Sequence, residues 1–148
     1  MEIRCLTGTD LRLMEELLDL FREVFREPEA YSAARPSAAY QRDLLEDGGF
    51  VALVAIERGQ VVGGLAAYEL RKFEQERSEF YLYDLAVAEA HRRRGIASAL
   101  IETLKGVAAE RGGHVIFVQA DQGDEAAIAL YSKLGRREDI HHFDIPIG

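Results

Sequence analysis

The chain has 148 residues, 48% of them hydrophobic and 30% charged, and a formal net charge of −8. That length and balance describe one globular domain spanning 1–148, large enough to bury roughly two-thirds of the surface its unfolded chain exposes. The acidic excess excludes a nucleic-acid binder that works by neutralising phosphates, and it favours cationic small molecules or peptides as partners.

Other classes fall away on local grounds. No apolar run approaches the ~20 residues a membrane span needs. The opening Met1-Glu2-Ile3-Arg4-Cys5-Leu6 has no basic stretch followed by an apolar one, so no secretory signal is visible and a cytoplasmic location is expected. Cys5 is the single cysteine and cannot form an internal disulfide. With no CxxC pair and only scattered histidines, no metal site is expected. Cys5 itself reads as a small core residue of a first strand.

In chain order, Glu2–Leu6 reads as that strand, and Thr9 or Asp10 can cap the helix that follows. Met14, Leu17, Leu18, Phe21, Val24 and Phe25 recur at three- and four-residue steps and mark its buried face. Pro28 and Pro36 bracket a loop, after which Tyr40, Leu44 and Leu45 suit a short helix stopped by Gly48-Gly49. Phe50–Ile56 and Val61–Tyr68 are strand-like and joined through Arg58-Gly59, a hairpin signal. The charged stretch Arg71–Ser78 interrupts, and Glu79–Val87 resumes as a strand.

A helix then opens at the arginine-rich turn, with Ile96, Leu100, Ile101, Leu104 and Val107 inward, and ends at Gly112-Gly113. His114–Ala120 is a nearly continuous apolar strand. Asp124 can cap a further helix running to Leu134, with Gly135 at its end, and Glu138–Ile145 is expected to supply a last strand. The order β-α-α-β-β-β-α-β-α-β predicts one α/β domain on a mixed sheet.

The most informative stretch is Asp84-Leu85-Ala86-Val87, a four-residue connection, then Arg92-Arg93-Arg94-Gly95-Ile96-Ala97-Ser98. A strand feeds a tight turn that opens a long helix, whose first amide N–H groups lack intrahelical acceptors and carry partial positive charge. Such a turn binds an anion such as pyrophosphate. Gly95 and the small Ala97 let phosphates approach the backbone. Three arginines oppose the dipole of a purely structural helix start, which favours a bound anion. Neither a G-x-G-x-x-G fingerprint nor a Walker A loop is present.

The run from Leu85 to Ala97 resembles the [QR]-x-x-G-x-[GA] motif of the GCN5-related N-acetyltransferases, and Ala129-Leu130-Tyr131-Ser132-Lys133-Leu134-Gly135 resembles their later helix ending in Tyr and Gly. The sequence departs from the wider family at Arg136, where a Phe commonly follows the Gly. Lys72-Phe73-Glu74-Gln75, Arg77-Ser78-Glu79, Tyr83–Val87, Gln119-Ala120-Asp121, Gly123-Asp124 and His142-Phe143-Asp144-Ile145 are similar to the type I aminoglycoside 3-N-acetyltransferases, the gentamicin-modifying branch. The resemblance implies a mixed, mostly antiparallel sheet flanked by helices, acetyl-CoA as co-substrate, a homodimer, and acetylation of a cationic aminoglycoside by direct attack on the thioester. It places the pyrophosphate on Arg92, Arg93, Arg94, Gly95, Ile96, Ala97 and Ser98, and the pantetheine arm along the backbone of Leu85, Ala86 and Val87.

Amine acetylation requires a neutral amine, a polarised carbonyl and protonation of the departing thiolate. In the family Tyr131 is the usual acid. Asp84 is the first choice for the proton acceptor, because a carboxylate amid Tyr81, Leu82, Tyr83 and Leu85 is out of character in a buried strand. Alternation puts Tyr81, Tyr83 and Leu85 on the opposite face, so Asp84 reaches a substrate only if the strand bulges. Base, substrate ligand and structural residue all stay open for it. Glu79, Tyr83, Gln119, Asp121, Asp124, His142 and Asp144 are the candidates for holding a polycationic acceptor, with Asp124 also a good N-cap and Glu79 also an ordinary strand-start carboxylate. Two other readings fit the same motifs: a polyamine or peptide amine acetyltransferase, and a non-catalytic acyl-CoA-binding regulator.

Overall fold

The computed structural model describes residues 1–25 and 34–148. Five strands form one sheet in the order β1-β2-β3-β4-β5, with β1 at Glu2–Cys5, β2 at Phe50–Glu57, β3 at Gln60–Arg71, β4 at Ser78–Val87 and β5 at Gly113–Val118. The first four pair antiparallel and β5 joins β4 in parallel, so the sheet is mixed and mostly antiparallel. Helices α1 (Leu11–Phe25) and α2 (Ala38–Glu46) cover one face; α3 (Ile96–Glu110) and α4 (Glu125–Leu134) lie on the other. Pro28 and the loop it was expected to bracket with Pro36 fall largely outside the described residues.

Strand alternation divides the core in two. Leu53, Leu65, Phe80, Leu82, Leu100 and Leu104 meet beneath α3, whereas Leu17, Phe21, Phe50, Val54 and Ala86 meet beneath α1. Glycines in β3 let both helices come close. A Cβ on Gly63 would lie 3.0 Å from Ile96 Cγ2 and one on Gly64 would run into Leu17 and lie 2.8 Å from the Leu53 carbonyl oxygen. The β2–β3 hairpin turns at Arg58 and Gly59 with φ of 52° and 76°, the positive pair that a two-residue type I′ turn requires. On the α1 side, Arg35 binds Glu15 and Asp19, and the buried Gln41 donates to Glu15 Oε1 at 2.8 Å, tying α2 to α1.

Three local expectations are corrected. Asp10 precedes α1, but its carboxylate turns back to the Thr7 amide at 2.7 Å and to Arg4 at 2.8 Å instead of capping the helix. Cys5 is exposed, because β1 is an edge strand without helix cover at that position. The strand expected at Glu138–Ile145 is absent from the sheet: residues 136–148 carry neither helix nor ladder and are exposed throughout. The alternating pattern that suggested a strand is real, yet within one chain it finds no partner.

Candidate active site

A bulge in β4 organises the site. Ala66 of β3 pairs with Asp84 and the next residue, Ala67, pairs with Leu82, so Tyr83 is the extra residue. The extra residue reverses the alternation of the strand. Phe80 and Leu82 face α3 before it; Leu85 and Val87 face α3 after it, and Ala86 faces α1. Asp84 therefore leaves the face that alternation from Leu82 would have given it. The condition on which its reach depended is met.

The bulge also parts the two parallel strands. β5 runs beside β4 only from Ser78 to Leu82, its last partner being Val118. Beyond that point Asp84–Val87 pair with β3 and not with β5, and the bulged Tyr83 pairs with neither, which leaves a gap in the β4–β5 ladder. A slot of this kind accepts an extended, amide-bearing arm as an added strand.

At the far end of β4, residues Glu89–His91 form a single 3-10 turn and Gly95 caps α3 with φ of 78°. Arg93 is also left-handed at 63°. This pair of positive φ values winds the chain so that the amides of Arg94, Gly95, Ile96, Ala97 and Ser98 have no backbone acceptor among the described residues. They form a nest for an anion at the positive end of a fifteen-residue helix. A Cβ built on Gly95 would meet nothing, so open space lies in front of the nest.

The three arginines divide their work. Arg94 makes a two-pronged pair with Glu57 at 2.9 and 3.0 Å, which lowers the Glu57 pKa and raises its own. His91 Nε2 lies 3.8 Å from the same carboxylate. Arg92 Nε donates to the Val87 carbonyl at 3.2 Å, fixing the end of β4, and its guanidinium is exposed with that of Arg93. Arg92 and Arg93 are the more available counter-charges for a phosphate.

Tyr131, in the last turns of α4, packs half-buried against the core beneath α3. Burial first, then the charges of Asp124 and Asp84, push its phenol up to about 12. Of the two carboxylates, Asp124 contributes more to this shift and Asp84 less. Asp124 accepts from the Ala127 amide at 3.2 Å and so does act as N-cap of α4, while its charge also reaches Tyr131.

On the α1 side of the same strands, aromatic rings form a row that sequence reasoning named only in part. Phe50 and Tyr68 lie with centroids 5.3 Å apart, Tyr68 and Tyr83 5.6 Å, Tyr83 and Tyr81 5.5 Å, and Tyr81 stacks on Phe117 at 4.6 Å. Tyr81 donates to Gln119 Oε1 at 2.9 Å, orienting that amide. Burial raises the Tyr68 and Tyr81 phenols, with Tyr83 and Asp84 adding to the shift. Tyr68 and Phe117 were missed because only the register, Tyr68 opposite Tyr81 and Tyr81 opposite Phe117, brings them together.

The structure thus gathers Tyr83, Asp84, Gln119, Asp124 and Tyr131 around the mouth of the gap, with Asp121 on the turn before α4. Two groups fall elsewhere. Glu79 pairs with Lys72 at 3.4 Å and approaches His114 at 3.6 Å near the start of β4, five residues short of Asp84 and roughly 16 Å away along the strand. His142 and Asp144 bind one another at 2.8 Å on the exposed 136–148 segment, and a single chain does not bring them to the cleft.

Among the described residues no group of three or more His, Cys, Asp or Glu side chains could hold a metal ion, and no helix is long and apolar enough to cross a membrane. The family model for Acetyltransferase (GNAT) matches residues 12–135. The fold superposes with a TM-score of 0.97 on the aminoglycoside acetyltransferase HMB0005 from an uncultured soil metagenomic sample, at 60% identity over 99% of this chain and 98% of that one. The aminoglycoside acetyltransferase meta-AAC0020, also from a soil metagenome and solved with sisomicin, gives a TM-score of 0.91 at 30% identity over 99% and 96%. Among curated proteins, an uncharacterized N-acetyltransferase, YhfO of Bacillus subtilis, is 26% identical over 94% of this chain and 91% of its own. Rat N-acetyltransferase family 8 member 2 is 32% identical over 61% of this chain, a match spanning only 40% of the relative's length. The parted strands, the amide nest and the extent of the family match lead to one conclusion: this chain belongs to the GNAT acetyltransferase family.

Proposed function

We propose that the protein transfers acetyl from acetyl-CoA to an amine of an aminoglycoside, at the 3-amino position of gentamicin-type drugs. The observation that carries the reading is the Tyr83 bulge, which turns Asp84 to the other face of β4 just where the pairing of β4 with β5 ends. The residues present fit acetyl-CoA. The nest at Arg94–Ser98, with Arg92 and Arg93 beside it, suits a pyrophosphate, and the open edge of Leu85, Ala86 and Val87 suits the two amides of a pantetheine arm. The 60% identity to HMB0005 supports the aminoglycoside as acceptor, as do the carboxylates of Asp84 and Asp124 beside Tyr131.

In this reading Asp84 accepts a proton from the bound ammonium, leaving a lone pair to attack the thioester carbonyl. Backbone N–H groups loosened by the bulge stabilise the oxyanion that forms. The new N–C bond forms as the C–S bond breaks, Tyr131 donates to the departing sulfur, and the second proton lost by the nitrogen balances the one the thiol gains, so that Tyr131 ends protonated. A phenol at about 12 lies above an ordinary thiol near 8.5. Tyr131 therefore acts first as a hydrogen-bond donor to the developing thiolate. A bound polycation offsets the smaller contributions of the Asp124 and Asp84 charges, while burial, the largest cause of the raised phenol, remains.

Release of free thiol from acetyl-CoA, followed with gentamicin, kanamycin, spermidine and a short peptide panel, tests the assignment. Turnover on gentamicin is expected, with NMR of the product showing an acetylated 3-amino group. Turnover confined to spermidine or peptides would replace the acceptor while keeping the coenzyme site. Binding of acetyl-CoA with no turnover on any amine would overturn the enzymatic reading.

A further inference from the structure

The turn that leads from β4 into α3 is anchored at both ends and bridged in its middle. At its entry the Ala88 amide donates to the Val62 carbonyl at 2.8 Å, and Arg92 Nε donates to the Val87 carbonyl at 3.2 Å. At its exit Ile96 is buried against β3 at Gly63. Between these anchors Arg93 and Arg94 make no backbone hydrogen bond among the described residues. Packing does not hold them either. A cavity of about 450 Å³, lined by Glu57, Arg58, Gln60, His91 and Arg94, lies between the β2–β3 hairpin and the turn.

Glu57, the last residue of β2, bridges that space. Its carboxylate accepts from both terminal nitrogens of Arg94, at 2.9 and 3.0 Å, and His91 Nε2 stands 3.8 Å from the same group. Arg94 sits between the two left-handed residues of the turn, Arg93 at 63° and Gly95 at 78°. Glycine takes that conformation without strain. An arginine does not, and keeps it only where its surroundings impose it. The amides of Arg94 to Ser98 converge only while both residues stay left-handed, so whatever fixes Arg94 also fixes the nest.

We propose that Glu57 is a positioning residue for the coenzyme: through Arg94 it holds the turn 93–95 in the shape that aims the nest amides before a pyrophosphate arrives. Ordering completed during folding is ordering the ligand does not have to impose, which raises affinity. The role has a sign that charge alone would not give. Removing a carboxylate beside an anion site, and freeing Arg94, tightens a polyanion if only electrostatics acts. Removing the tie that shapes the nest weakens it. That the nest receives the pyrophosphate of coenzyme A rests on the reading above; that Glu57 holds the turn rests on the bridge itself.

Calorimetric titration of coenzyme A into the full chain reads that sign. Glu57→Ala should raise the Kd about three- to fivefold, the upper range for an exposed but two-pronged pair. The acetyl-CoA KM should rise with it while the acceptor KM stays put. The melting temperature should move little, because such a pair adds little to global stability. Arg94→Ala should weaken binding at least as much, and the double variant no further than Arg94→Ala alone, since both substitutions cut one tie. An unchanged or lower Kd in Glu57→Ala, or losses that add in the double variant, overturns the proposal. A second measurement needs no coenzyme. Nitrogen-15 relaxation of the unliganded chain should show the order parameters of Arg93, Arg94 and Gly95 falling from about 0.85 toward 0.6 in Glu57→Ala; values that stay at the wild-type level overturn the positioning role. If the wild-type chain takes up no coenzyme A, the coenzyme reading fails, and the relaxation data still decide whether Glu57 holds the turn.

Discussion

Tyr131 shows how much one residue's surroundings decide. Its phenol sits half-buried at the end of α4, held protonated by burial and by two nearby carboxylates. Tyr131→Phe removes the hydrogen bond offered to the leaving sulfur but keeps the ring that packs beneath α3, so kcat is expected to fall about 10- to 100-fold with thermal stability near the wild type. An unchanged kcat in the folded variant would reduce Tyr131 to a packing residue. The pH dependence follows from the sign of the shift. Because the folded pKa is raised from 10 to about 12, the neutral phenol persists below pH 10 and is lost only as pH climbs through the folded value. Stability linked to this group is accordingly present up to pH 10 and declines above it, and Tyr131→Phe should flatten that alkaline decline in a denaturation series.

Asp84 shows what local sequence reasoning could and could not see. The carboxylate was conspicuous among Tyr81, Leu82, Tyr83 and Leu85, and the need for a bulge could be stated from alternation alone. Its position could not, because a bulge is a property of two strands in register, and Ala66 and Ala67 lie far back in β3. The same holds for Tyr68 and Phe117, whose membership of the aromatic row depends on cross-strand pairing. The turn Arg92–Ser98 was legible because its information is local: a glycine with positive φ, small residues behind it and arginines where acids would suit the dipole.

At the scale of elements, the junction of β4 with α3 carries the coenzyme reading. Gly95 is left-handed at 78° with open space where a Cβ would point. Gly95→Ala therefore costs backbone strain of about 1 kcal/mol and no core clash. It should lower the melting temperature slightly while raising the acetyl-CoA KM more than the acceptor KM, because the methyl intrudes on the nest. Equal effects on both KM values would show that the turn serves only the fold. Gly64→Ala is a contrasting case in β3. There the new methyl runs into Leu17 and the Leu53 carbonyl oxygen, so the expected loss is about 1–3 kcal/mol of stability, read by chemical denaturation. The arginines differ likewise. Arg94 is already paired with Glu57, so Arg93→Ala should weaken acetyl-CoA binding more than Arg94→Ala does.

The whole molecule adds a field to these local contacts. Its net charge of −8 and the carboxylates of Asp84, Asp121 and Asp124 near the gap attract a multiply charged amine before any hydrogen bond forms. Raising salt from about 0.05 to 0.5 M shortens the screening length from roughly 14 Å to about 4 Å. An acceptor held by several separated charges loses most of that attraction, whereas the chemistry at Asp84 and Tyr131 acts at contact range and loses little. The acceptor KM for gentamicin should consequently rise several-fold across this range with kcat nearly constant, and a monoamine of similar pKa should show little change. Steady-state kinetics at three ionic strengths separates the effects. If the gentamicin KM is flat, neutral hydrogen bonding and stacking on Tyr83 and Tyr68 hold the acceptor; if kcat falls as steeply as KM rises, salt is disturbing the catalytic geometry itself.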